Sequence, residues 1–437
     1  MKKPESKHMR FSSLRSWRGF SLIELMVAMF LGIIVSAGII TLFSSTSRAN
    51  RVQQKLASIQ ENARFAVSRL TDDLHMVNSE FCSNTGGPAH LSSTGFVYLD
   101  NLRSPQIVTK NLVLSDGTVP SFASSVSSPY SLPARVYLGG SECDNSSCTP
   151  SVPAVLPAMG TSAGSRVKGA DVLTVRRLSG QGWKIEPTPA TSSPATQLTC
   201  NGSNNLTSIT LTPATGEAPA SRFASGDLAM LADCSSSQVF SVNASMQPDS
   251  NNMSGTDLKC VFAKNDGRLF DFSKDFTTVT YFLQLAADDN PDAPAGHLVA
   301  NLMRRVNSSA AQVMVRGVER FDVSYGVEDD LGRTIFLTAD DVDDRAGGTI
   351  DCPPGPPNPP AGVDVGCLWR SVKSLNVNLL VNGVDTMFNM PDAELQYTYA
   401  PDGSGLQTPA ATPTNGLDRR MMRRGFNFVV SIRNYNP

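Results

Sequence analysis

From Phe20 to Phe43 the chain reads FSLIELMVAMFLGIIVSAGIITLF, 24 residues carrying one charge, Glu24. As a helix this run is about 36 Å long, enough to cross the roughly 30 Å hydrocarbon layer of a bilayer. Its flanks set the orientation. Residues 1–19 hold Lys2, Lys3, Lys7, Arg10, Arg15 and Arg18 against Glu5, a net of +5. Basic flanks stay in the cytoplasm, so the N-terminus is expected inside and everything after the run outside. The whole chain carries −2, which leaves −7 for the part beyond the leader. A mildly acidic body argues against general nucleic-acid binding, which needs clustered basic surface.

The eight cysteines, Cys82, Cys143, Cys148, Cys200, Cys234, Cys260, Cys352 and Cys367, all follow the apolar run. An even count on one side of a membrane fits disulfides in an oxidising compartment. Structural zinc wants close Cys or His pairs, and the nearest spacing is Cys143 to Cys148, with no CxxC. No metal and no cofactor is therefore expected. The first pairing expected is Cys352 to Cys367, which would staple the proline run PPGPPNPP at 353–360 at its base. Cys143 to Cys148 comes next.

Three ordinary readings of the apolar run compete: a plain anchor, a signal peptide cut after Val35-Ser36-Ala37, and an anchor whose Glu24 reaches to the headgroups. None has a use for the sequence Gly19-Phe20-Ser21-Leu22-Ile23-Glu24-Leu25-Met26-Val27-Ala28, where a glycine abuts the apolar run and a carboxylate sits five residues in. This segment resembles the type IV prepilin signal shared by major pilins, minor pilins and type II secretion pseudopilins. The resemblance implies that a prepilin peptidase cuts after Gly19 and methylates the new N-terminal residue, Phe20. It also implies that Glu24, costly in lipid by a few kcal/mol when unpaired, meets the free amine of a neighbouring subunit during assembly. The implied partners are the peptidase, other minor and major pilins, and the inner-membrane assembly machinery. The implied location is a single pass through the inner membrane with the head in the periplasm, and then the pilus fibre at the cell surface.

Beyond the membrane the helix continues. Val52, Leu56, Ile59, Ala63, Val67, Leu70, Leu74 and Val77 recur every three or four residues, an apolar stripe suited to packing on a sheet. A coiled coil would use the same stripe, but about three and a half heptads favour packing within the chain. After Cys82 short β-rich runs alternate with Gly, Pro, Ser and Asn clusters. The predicted strands are 96–99, 106–114, 135–138, 171–177, 208–212, 227–232, 238–242, 277–285, 318–327, 375–381 and 426–432. The fold class expected is α+β: a long N-terminal helix, half transmembrane and half amphipathic, packed on a mostly antiparallel β head. The divisions are a leader 1–19, a membrane segment 20–43, an amphipathic segment 44–80 and a β-rich exported head 81–437 of one or two sheets. Loops are expected at 187–195 and 353–360.

Parts of the head resemble the PilW-like minor pilins: Gly226-Asp227-Leu228 leading to Asp233-Cys234, Gly317-Val318-Glu319 leading to Val323-Ser324-Tyr325-Gly326, and Arg423-Arg424-Gly425-Phe426. Residues 83–165 and 340–370 carry no such resemblance. The function it implies is a minor pilin that helps initiate or cap a type IV pilus, serving twitching, adhesion or DNA uptake, and not an enzyme. A type II secretion pseudopilin is the nearest alternative.

The remaining chemical patterns favour structural readings. Gly160-Thr161-Ser162-Ala163-Gly164 fits the nucleophile pattern of an exported hydrolase, but no helix pattern follows and His297 is the one downstream histidine. Asp340, Asp341, Asp343 and Asp344, like Asp288, Asp289 and Asp292, could face calcium, yet neither set fits an EF-hand loop; each is expected as a solvated acidic loop. Arg419, Arg420, Arg423 and Arg424 precede a strand pattern and are expected to guard its edge.

Overall fold

The structure is a computed structural model. It describes residues 21–77, 90–92, 95–97 and 105–433, apart from 187–194, 234–236, 254–257, 259, 261–266, 292, 329–332, 354–358, 361–364, 388–389 and 409–416. Gly19, Phe20, Cys82, Cys234 and most of both predicted loops lie outside the described residues. The fold is α+β: a long apolar N-terminal helix followed by a mostly antiparallel β domain. The chain divides into two units, with the boundary between Ala57 and Ser58.

In the first unit the described residues form the beginning of a helix spanning Leu22–His75. It is the one helix among the described residues long and apolar enough to cross a membrane. Every large apolar side chain from Leu22 to Phe43 is exposed, a surface that water does not favour and lipid does. Within this stretch the Thr41 hydroxyl donates back to the carbonyls of Ala37 and Gly38 at 3.0 and 2.8 Å. Its polar group is thereby satisfied inside an apolar segment.

In the second unit the helix buries Ile59, Ala63, Ala66, Leu70, Asp73 and Leu74, with Val77 just beyond its end. The alternation of four and three residues is that of one helical face. Ala66 takes the place expected of Val67, which is only half-buried. This face packs on a six-stranded sheet ordered Gln312–Arg316, Leu298–Val306, Phe276–Ala287, Val172–Leu178, Leu138–Cys143 and Cys148–Thr149. All its pairings are antiparallel. Strand period decides which side chains meet the helix. Val279, Tyr281, Leu283 and Leu285 enter the helix-side core, while Thr278 and Thr280 face the other way beside Thr174 and Arg176.

The same core extends to a four-stranded antiparallel sheet ordered Thr334–Leu337, Val318–Glu328, Val372–Asn382 and Arg423–Ser431. Gly317 makes the passage between the two sheets. Its φ is +77°, and a Cβ there would lie 2.7 Å from the carbonyl oxygen of Asn382. Both the left-handed backbone and the close approach require glycine. A third sheet of six strands is centred on Ser237–Ser241, Leu228–Ala232 and Arg268–Asp271, with its own apolar cluster around Met230, Val239 and Phe270. Two hairpins complete the described β structure.

Several sequence expectations are corrected. The predicted strand 135–138 is a 3-10 turn at Ala134–Val136, started by Pro133, whose carbonyl accepts from Val136; the strand follows at Leu138–Cys143. The predicted strand 106–114 shortens to Gln106–Ile107 because side chains compete for the backbone. Thr109 Oγ1 accepts from the Asn111 N–H, and Asp116 Oδ1 accepts from the Thr118 N–H. The Asp340 to Asp344 segment is not a loop but lies in the helix Ala339–Gly348. Thr338 caps it by accepting from the Asp341 N–H, and Asp340 and Asp341 sit in its first turn, where the helix dipole favours carboxylates.

Candidate functional site

Two places on the long helix carry the chemistry of interest, and each is built by its own neighbours. At the start, Ser21 and Glu24 form a reciprocal cap. The Ser21 hydroxyl accepts from the Ile23 N–H at 3.3 Å, and Glu24 Oε2 accepts from the Ser21 N–H at 3.2 Å. A helix leaves its first N–H groups without partners, and a Ser followed three residues later by Glu supplies acceptors for them. The carboxylate singled out by sequence thus already serves its own helix end.

Near the end of the helix, Asp73 occupies the buried stripe where an apolar residue would be expected. Arg304 donates to both of its carboxylate oxygens, at 2.8 and 3.2 Å, and Arg177 donates at 2.9 Å. The Tyr281 hydroxyl donates to the same carboxylate. The three donors come from three neighbouring strands of the sheet beneath, 172–178, 276–287 and 298–306. Burial pushes the carboxyl's pKa up, but the hydrogen bonds from Arg304 and Tyr281, with the charges of Arg304 and Arg177, outweigh it and hold the pKa below the usual value. The signal is present in the sequence: 59, 63, 66, 70, 73 and 77 alternate spacings of four and three, the regular period of one helical face, with a carboxylate at 73.

The two later motifs come together in space. Glu319, after the Gly317 turn, pairs with Arg423 at 2.7 Å, and both are buried. Arg423 also donates to the carbonyls of Asp418, Arg419 and Met421. The arginine cluster therefore disperses. Arg419 and Arg420 face Asp392, Arg423 turns inward, and Arg424 is exposed on the strand Arg423–Ser431, which forms one side of its sheet.

The disulfides observed among the described residues are Cys143–Cys148, Cys200–Cys260 and Cys352–Cys367. The first joins the strands Leu138–Cys143 and Cys148–Thr149, where the two cysteines are direct partners. Cys200–Cys260 had no signal in spacing, because 60 residues separate its ends.

Ser162 lies exposed on a loop with its hydroxyl 3.2 Å from that of Ser165, and the chain leads on to the strand Val172–Leu178 rather than to a helix. His297 instead faces Asp288, its Nδ1 2.9 Å from Oδ2, and Asp288 also receives Arg316. The expected solvated acidic loop at 288–292 is corrected at this residue, whose carboxylate is enclosed by these partners. Among the described residues no group of three or more His, Cys, Asp or Glu could hold a metal ion.

Comparison with known families adds two matches. The prokaryotic N-terminal methylation motif matches residues 18–40, and the family described as Type IV Pilus-assembly protein W matches residues 280–434. The two matches support a type IV minor pilin-like protein. The second match takes in Arg304, Gly317, Glu319 and Arg423, so part of the Asp73 clasp and the whole Glu319–Arg423 pair belong to the shared region of this pilin-like chain. The apolar N-terminal helix and the methylation motif fit a membrane-anchored pilin, and the pilin and PilW families are themselves structural. No curated protein and no solved structure matches the chain.

Proposed function

We propose that this chain is a minor pilin that helps initiate or cap a type IV pilus. The observation that carries the reading is the presence of both family matches at opposite ends of one chain, the methylation motif at 18–40 and the pilus-assembly family at 280–434. In this reading a prepilin peptidase cuts after Gly19 and methylates Phe20. The chain waits in the inner membrane by a single pass, with its disulfide-bearing head in the periplasm, and then enters the fibre. Its partners are other minor and major pilins and the inner-membrane assembly machinery.

Glu24 then has two ligands in sequence. In the unassembled chain it accepts from the Ser21 N–H. In the fibre the amine of a neighbouring Phe20 joins or displaces that bond, because an amine's full charge is the stronger partner for a carboxylate in lipid.

Deletion of the gene tests the reading. Pili and twitching should be lost, with exoprotein secretion intact. Retained piliation with failed secretion would assign the chain to type II secretion instead.

A further inference from the structure

Arg166 is buried, yet among the described residues it forms no ion pair. Its Nε donates to the Pro157 carbonyl at 2.8 Å. The rest of its fork lies against sulfur: Nη1 is 3.9 Å from Cys143 Sγ and 3.8 Å from Cys148 Sγ, and Nη2 is 3.8 Å from Cys148 Sγ. Burial lowers the guanidinium's pKa, as expected for a cation removed from water without an anion.

A neutral disulfide is a poor partner for a buried cation, and a thiolate is a good one. Positive charge beside a cysteine lowers its pKa and stabilises the reduced form. The guanidinium is therefore placed for the product of reduction rather than for the disulfide. Three acids lie nearby. Glu142 and Asp144 flank Cys143 in the chain, the first with its pKa raised by burial and the second with its pKa held low by hydrogen bonds from Ser147 and Ser146. Asp171 Oδ1 accepts from the Cys143 backbone N–H at 3.1 Å, and burial, followed by the charge of Glu142, raises the Asp171 pKa well above the usual carboxylate value. The shift at Asp171 lessens its opposition to a thiolate at Cys143, while Asp144 is fully exposed and solvent screens its charge.

We propose that Cys143–Cys148 is a thiol–disulfide exchange site whose reduced form Arg166 stabilises, and that its substrate is a dithiol. Cys148 is the more exposed of the pair, Cys143 being 7% exposed, so attack falls on Cys148 Sγ. One thiolate of the dithiol bonds to Cys148 Sγ, and the electron pair of the broken S–S bond leaves on Cys143 Sγ beside Arg166 Nη1. The second thiolate of the dithiol attacks its own sulfur in the mixed disulfide, closes the partner's disulfide and frees Cys148 as a thiolate beside Nη1 and Nη2. Two electrons pass to the cystine, and the two protons of the dithiol go to water or to the freed thiolates. Reduction frees the one covalent tie between the strands Leu138–Cys143 and Cys148–Thr149, which the structure pairs through Glu142–Thr149 and Cys143–Cys148.

The test uses the full chain in detergent, equilibrated with reduced and oxidised dithiothreitol, with free thiols alkylated and located by mass spectrometry. Arg166→Met should raise the reduced-to-oxidised ratio needed for half-reduction of Cys143–Cys148 about tenfold, equivalent to about 30 mV. Arg166→Lys should lie nearer the wild type, and Cys200–Cys260 should not move. An unchanged or lower ratio in Arg166→Met would overturn the proposal. Should that variant fail to fold, Cys148→Ser leaves Cys143 as a thiol beside an intact Arg166. The pH dependence of its alkylation should then show ionisation below the ordinary thiol value of about 8.5, and ionisation at or above it also overturns the proposal.

Discussion

Arg304 grips Asp73 with two parallel hydrogen bonds, Nε to Oδ2 at 2.8 Å and Nη2 to Oδ1 at 3.2 Å. The fork of a guanidinium matches the two oxygens of a carboxylate, which gives the contact direction as well as energy. Asp73 belongs to the helix and Arg304 to the sheet, so the pair fixes how far along the sheet this part of the helix lies. Apolar contacts alone would tolerate a slip of one turn far better.

Asp73→Asn removes the charge while keeping the shape and strands Arg177 and Arg304 beside a neutral amide. Breaking a buried pair of this kind costs about 3–5 kcal/mol, and the exposed sides of both arginines place the expected loss at the lower end. Denaturant unfolding of the full chain in detergent measures it. Hydrogen exchange should show lost protection at residues 59–77 before the C-terminal sheet responds. An unchanged midpoint would mean that the clasp orients the helix without stabilising it.

The pH dependence of this contact follows from the lowered pKa of Asp73. A carboxyl that holds its proton less tightly when folded than when unfolded adds stability above the unfolded value, about 3.9, and loses it as the pH falls through the folded value. Acid should therefore loosen the helix-to-sheet contact, and Asp73→Asn should flatten the slope of stability against pH below about 4. Identical slopes in the two proteins would show that other carboxylates carry the acid response.

Gly140→Ala tests the packing between the two sheets that share the helix core. A Cβ at this position would lie 1.9 Å from the Tyr325 hydroxyl oxygen and 3.2 Å from the Ala339 side chain. Tyr325 is fully buried against Trp369, with ring centroids 4.8 Å apart, so it has little room to withdraw. Overpacking of this kind costs about 1–3 kcal/mol. Thermal unfolding should show the loss, and Gly140→Ala combined with Tyr325→Phe should recover part of it.

Glu319 and Arg423 join two segments that sequence shows far apart, and the pair is unequal in its dependence. Arg423 retains carbonyl partners from residues 418–421 if Glu319 becomes Gln, whereas Arg423→Met leaves Glu319 a buried carboxylate without its cation. The arginine substitution should be the more damaging by about 1–2 kcal/mol in equilibrium unfolding. Equal losses would place the energy in the ion pair itself.

Processing is checked by mass spectrometry of the mature protein, which should begin with methylated Phe20; an N-terminus at Gly38 would instead mark secretory cleavage. Glu24→Ala should leave cleavage intact while reducing incorporation into pili. Normal incorporation would remove the carboxylate's assembly role and leave the Ser21 cap as its function.

Where sequence pattern and structure agree, the governing interactions are local. Strands such as Val172–Leu178, Val318–Glu328 and Val372–Asn382 were legible because valine-bearing runs bounded by turn residues favour the extended conformation locally. Leu298–Val306 went unread because its LVANLMRRV carries no alternation, being buried toward one end and half-exposed at the other. The helix Ala339–Gly348 was hidden by its charge: a run of aspartates is a poor helix interior, but Thr338 and the helix dipole suit it to a first turn.

The sequence by itself determined the helix, its apolar length and the single carboxylate within its apolar run, because periodicity, charge and hydropathy act within a few residues of one another. Only the tertiary structure decided the partners: Asp73 with Arg177, Arg304 and Tyr281, Glu319 with Arg423, and Arg166 with the Cys143–Cys148 disulfide. Such pairs span up to 231 residues of chain. No local propensity records them, since a buried charge finds its partner only when packing has excluded water and brought the donors together.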